Sequence, residues 1–176
     1  TDETGRTRFL GHEQVGADSA REIACRLRFS AAEADYVKLV VRQHMRPLSL
    51  TASGGVSNLA AHRYYREVGP AGVDIALLYL ADLWALAPGL AAPAQASAAM
   101  QTIGALWEYW FSHNSPESQK PLLSGRDLVE RCGMAAGPQI GRWLQRVREE
   151  QVAGNIMSRD DALRWVMENA GRADIS

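Results

Sequence analysis

Apolar residues recur every three to four positions along nearly the whole chain, and no stretch alternates convincingly between apolar and polar. A helix turns once every 3.6 residues whereas a strand alternates every two, so this spacing predicts an all-α fold. The chain punctuation agrees. Ser30 followed by Glu33 matches a capping box, Ser57, Ser124 and Ser158 stand where N-caps are needed, and Gly133 and Gly154 fall just beyond helix ends. The pattern predicts helices over about residues 12–28, 30–45, 57–69, 71–86, 94–113, 126–132, 138–153 and 159–169.

Each helix is expected to bury one face. In the first, Val15, Gly16, Ser19, Ala20, Ile23 and Leu27 share a side, with Gly16 and Ala20 admitting a close neighbour. The second presents Val37, Val40 and Val41, and ends before Pro47. The helix over 71–86 carries Ile75, Leu78, Tyr79 and Leu86 and is expected to be central. The next carries Met100, Ile103, Gly104, Trp107, Trp110 and Phe111, a stripe that suits a core better than a ligand site. Residues 51–55 are expected to form a flexible loop and 88–93 a linker, with a boundary in the polar stretch 112–120.

Composition narrows the function. With 176 residues, 47% of them apolar and 22% charged, the chain can build a sizeable core without disulfide or metal support. A net charge of -1 argues against indiscriminate coating of nucleic acid, but leaves room for a local basic stripe. Cys25 and Cys132 form no CxxC pair and suit reduced thiols, which points to the cytoplasm. No apolar run approaches a membrane span of about 18 residues, so no membrane partner is expected. The polar opening, Thr1 to Thr7, has the composition of a loop entered partway through a longer protein.

Three polar residues break the apolar stripes: His12, His44 and Asp82. Burying an unpaired carboxylate costs several kcal/mol or neutralises it, so the three are expected to converge on one another or on a metal. Imidazole and carboxylate suit a divalent transition metal, while hydrogen bonding within the core would satisfy the same groups. Around them, Phe9-Leu-Gly-His-Glu-Gln-Val-Gly-Ala17, Val41-Arg-Gln-His-Met-Arg-Pro47 and Ala81-Asp82 resemble the latter part of an HD domain. By that resemblance His12 and His44 match later histidines and Asp82 the final aspartate. The His-Asp dyad that would bridge the metal occurs nowhere in the chain.

A second resemblance covers Pro121-Leu-Leu-Ser-Gly-Arg-Asp-Leu128, Gly137-Pro-Gln-Ile-Gly-Arg-Trp-Leu144 and Glu149-Glu-Gln-Val-Ala-Gly-Asn-Ile156, with Tyr64-Tyr-Arg-Glu-Val-Gly-Pro-Ala-Gly72 between the motifs. These segments are similar to the C-terminal body and tail of bacterial tRNA nucleotidyltransferases of the poly(A) polymerase-like class. The resemblance implies an HD-derived helical domain over residues 1–87, a linker and helix over 88–120, and a helical tRNA-binding tail over 121–176. It also implies an N-terminal catalytic head, outside this chain, that binds magnesium and a nucleoside triphosphate. No paired acidic motif for such a site is present, so no catalytic residue and no cofactor are assigned here, apart from a residual HD-type divalent metal.

Within the tail, Arg142, Arg146 and Arg148 fall in one predicted helix, with Arg126 nearby. Arginine can bridge phosphate oxygens bidentately, so these four are the candidates for contacts to a tRNA backbone. The opposing reading is a solvated helix face, because Glu150 follows Arg146 by four residues. Trp143, Leu144 and Val147 are expected on the buried side. Two further readings stand beside RNA binding: a remnant of an HD-type metal phosphohydrolase, and a helical interaction or dimerisation module.

Overall fold

A computed structural model describes residues 11–85, 93–113 and 120–173. The described residues form nine helices and no strand. The expected opening loop, Phe9 and Leu10 of the first motif, Leu86, residues 88–92 of the linker and residues 114–119 of the polar stretch lie outside them.

The helices are α1 (His12–Arg26), α2 (Ala31–Gln43), α3 (Arg46–Ala52), α4 (Asn58–Val68), α5 (Ala71–Ala85), α6 (Pro93–His113), α7 (Gly125–Glu130), α8 (Pro138–Val152) and α9 (Arg159–Ala173). The caps explain most starts. The Ser30 hydroxyl accepts from the Glu33 amide while Glu33 accepts from the Ser30 amide at 2.8 Å, and Ser124 with Asp127 repeats the arrangement at α7. Ser57 and Ser158 accept from Ala60 and Asp161 amides in the same way. The seven-residue α3 is the helix the sequence did not predict. Pro47 was expected to stop α2, yet it sits buried in the first turn of α3, where its missing N–H costs nothing.

The chain divides into two compact units, between Trp110 and Phe111. In the first, α1 and α2 form a hairpin, α2 packs on α5, and α3 and α4 also lie against α5. Tyr64, Tyr65, Ile75, Tyr79, Ile103 and Leu106 fill its core. At the corner between α4 and α5, a bend of 104°, the Tyr64 hydroxyl donates to the Gly72 carbonyl at 2.8 Å. Tyr65 stacks on Tyr109 with centroids 6.1 Å apart and meets Trp110 at 4.8 Å. No single helix among the described residues is long and apolar enough to cross a membrane.

Two expected faces are rotated. Val15, Ile23 and Leu27 of α1 are exposed, and the helix instead buries Ala17 and Ala24 against α2. Small residues permit a close approach, and the pairs Lys38–Asp18 (2.7 Å) and Arg21–Asp35 (2.6 Å) flank the seam. In α6 the core stripe is Ala99, Thr102, Ile103, Leu106 and Tyr109, which leaves Met100, Gly104 and Phe111 outside. Trp107 and Trp110 are half-buried, and Trp107 Nε1 donates to the Val73 carbonyl at 3.4 Å.

The second unit has its own core of Leu123, Leu128, Trp143, Val147, Ile156, Ala162, Leu163 and Val166, drawn from α7, α8, α9 and their connections. Asp127 ties the start of α9 to α7 by accepting from Arg159 at 2.5 Å.

Candidate nucleic-acid interface

α8 begins at Pro138, whose fixed φ suits a first turn, and buries Trp143 and Val147 as its periodicity predicts. Positions four apart share a helix face, so Arg142 and Arg146 lie one turn apart on the same side. Both are exposed. Arg142 makes no ion pair or hydrogen bond among the described residues. The Arg146 guanidinium lies 4.9 Å from the Trp143 ring centroid and 5.8 Å from that of Trp165.

Glu150, which the sequence placed beside Arg146, and its neighbour Glu149 both accept hydrogen bonds from side-chain amides. Glu150 accepts from Asn155 Nδ2 at 2.7 Å, and Glu149 accepts from Gln145 Nε2 at 2.9 Å. No Arg146–Glu150 ion pair is formed. The other two candidates differ. Arg126 is bound to Glu130 at 2.7 Å, and the half-buried Arg148 donates to Gln151 at 3.1 Å. Among the described residues Arg142 and Arg146 thus have no carboxylate partner, whereas Arg126 and Arg148 are engaged.

Trp165 was missed at the sequence level. It stands among Ala162, Leu163 and Val166 of α9 and gives no local sign of touching α8, yet it meets Trp143 edge to face at 5.9 Å and 72°. Only the packing of the two helices brings it to Arg146.

The expected trio of His12, His44 and Asp82 reduces to a pair. His12 is exposed and its Nδ1 lies 3.3 Å from Glu13, while His44, half-buried at the end of α2, has Nδ1 2.6 Å from the Val41 carbonyl. The two rings meet edge to face with centroids 5.6 Å apart. Asp82 is exposed on the last turn of α5. Its spacing from Ile75 and Tyr79 put it on the core face, but the buried stretch of α5 ends at Leu80, before that turn. Among the described residues no group of three His, Cys, Asp or Glu side chains could hold a metal ion. These residues do not fit the divalent centre that the HD resemblance implied, and no chemistry is derived through one.

Comparison with known proteins gives the chain its context. It is 30% identical over 165 residues to the CC-adding tRNA nucleotidyltransferase of Thermus thermophilus, covering 94% of this chain and 35% of that protein. It is also 30% identical over 177 residues to the A-adding tRNA nucleotidyltransferase of Deinococcus radiodurans, covering 96% of this chain and 38% of that protein. The chain spans little more than a third of the length of these curated relatives. No family profile matches it, and no solved structure does so significantly.

Proposed function

The chain is related to the tRNA nucleotidyltransferase family, and from that premise we propose that it is a tRNA-binding helical part of such an enzyme. In this reading nucleotide addition takes place in a catalytic head outside the chain, where magnesium and the nucleoside triphosphate are bound. The helical part contributes grip on the folded tRNA, read through its phosphate backbone rather than its bases.

One observation carries the reading: Arg142 and Arg146 share an exposed face of α8 while the neighbouring carboxylates are held by Asn155 and Gln145. An exposed arginine already paired with a carboxylate must break that pair to bind phosphate. These two need not. Arg126 and Arg148 are secondary contacts, reached by exchanging Glu130 and Gln151 for phosphate oxygens. A net charge of -1 makes the grip local rather than a general attraction to polyanions.

The test is binding of a folded tRNA transcript by the 176-residue chain at several salt concentrations. Each neutralised phosphate contributes roughly 0.7 to 0.9 to the slope of log K against log salt. Replacing both Arg142 and Arg146 by Ala is expected to weaken binding about 10- to 100-fold at low salt and to flatten the slope by roughly 1.5. Binding that ignores salt, or an unchanged affinity in the double variant, would exclude the reading.

A further inference from the structure

We propose that Trp165, together with Trp143, is a positioning residue that holds the Arg146 guanidinium as a preformed anchor for a phosphodiester of the bound RNA. The inference rests on the tRNA-binding reading above and assigns a role to an aromatic pair that the reading does not use.

An exposed arginine ordinarily samples many rotamers and loses that freedom when it clamps a phosphate. Arg146 is restrained beforehand. Its guanidinium lies within cation–π range of two indole rings, 4.9 Å from Trp143 and 5.8 Å from Trp165. The rings are themselves fixed. Trp143 is only 8% exposed in the second unit's core, and Trp165 packs against that core and meets it edge to face.

Stacking on aromatic faces leaves the in-plane N–H donors of a guanidinium for an oxyanion. A carboxylate would normally take those donors, but Glu150 is held by Asn155 and Glu149 by Gln145. Arg142, one turn earlier, has no such cradle among the described residues. The two arginines should therefore differ in kind: Arg146 as a fixed contact that sets register, and Arg142 as a mobile one that adds charge. The ligand class is a backbone phosphate in a structured RNA.

A double-mutant cycle on the whole chain, with a folded tRNA transcript as the probe, tests this. Trp165→Leu is expected to weaken binding about 3-fold at low salt and to flatten the salt slope by up to roughly 0.9, while Trp165→Phe, which keeps a ring face, restores most of both. In an Arg146→Ala background Trp165→Leu should have no further effect. In an Arg142→Ala background its effect should persist in full. If Trp165→Leu fails to fold by circular dichroism, Trp165→Met replaces it, since it keeps bulk without a ring.

Equal loss from Trp165→Leu with and without Arg146, or no loss at all, overturns the positioning role. If Arg142→Ala and Arg146→Ala each weaken binding while the cycle shows no coupling, only this inference falls. If the unaltered chain shows no salt-dependent binding, the tRNA-binding reading falls with it.

Discussion

Gly72 sits in the first turn of α5, where helix propensity favours alanine by about 1 kcal/mol. A Cβ there would lie 2.6 Å from Tyr65 Cε1 and 2.8 Å from Tyr64 Cε1, closer than packed atoms tolerate. Both rings are buried and cannot swing aside, so the steric term wins. Gly72→Ala is expected to lose about 1 to 3 kcal/mol despite the propensity gain, measured by urea denaturation. An unchanged midpoint would mean that the tyrosines yield. Asp127 gives a second prediction at this scale. The Ser124 amide first, then the Ser124 hydroxyl and Arg159, hold its carboxyl at about 2, below an ordinary value of about 4. A depressed carboxylate stabilises the fold above its unfolded pKa and loses that contribution as pH falls through its folded one. The melting temperature should therefore drop between about pH 4 and pH 2, and Asp127→Asn should make that part of the curve shallower. Parallel curves would show that the carboxylate does not matter.

For the helices as elements, capping is the most transferable feature. Ser158 at the head of α9 accepts from the Asp161 amide at 3.1 Å and donates to its carboxylate at 2.6 Å. Ser158→Ala should cost about 1 kcal/mol, visible as faster amide exchange in the first turn of α9. The caps and the periodicity made eight helices legible, because both signals are local. What escaped was set by neighbours. Val15, Ile23 and Leu27 are apolar at helical spacing, yet α1 turns them outward because Ala17 and Ala24 fit closer to α2. Pro47 marks a break equally well as an end or a start, and α3 shows it to be a start. In the candidate site, spacing put Arg142 and Arg146 on one helix face, and the family resemblance made them candidates for phosphate contacts. That neither has a carboxylate partner among the described residues could not be read from spacing, since Asn155 approaches Glu150 only through the turn after α8. Asp82 fails for a similar reason: periodicity gives a direction around the helix but not the point along it where burial stops.

Across the molecule, two cores divide the work of stability. Leu128 is fully buried in the second, so Leu128→Ala should cost about 2 to 5 kcal/mol, with amide protection falling first over residues 120–173. Equal loss of protection in both units would contradict separate cores. The first unit is organised around the corner between α4 and α5, where Tyr64 reaches back to the Gly72 carbonyl across only eight positions. Joining groups so near in the chain sacrifices little entropy, far less than joining Thr51 to Thr102 across α3 and α6. The tyrosine latch therefore closes the joint between two helices at a small entropic cost, so the angle of the first unit is held by a contact that is local in the chain.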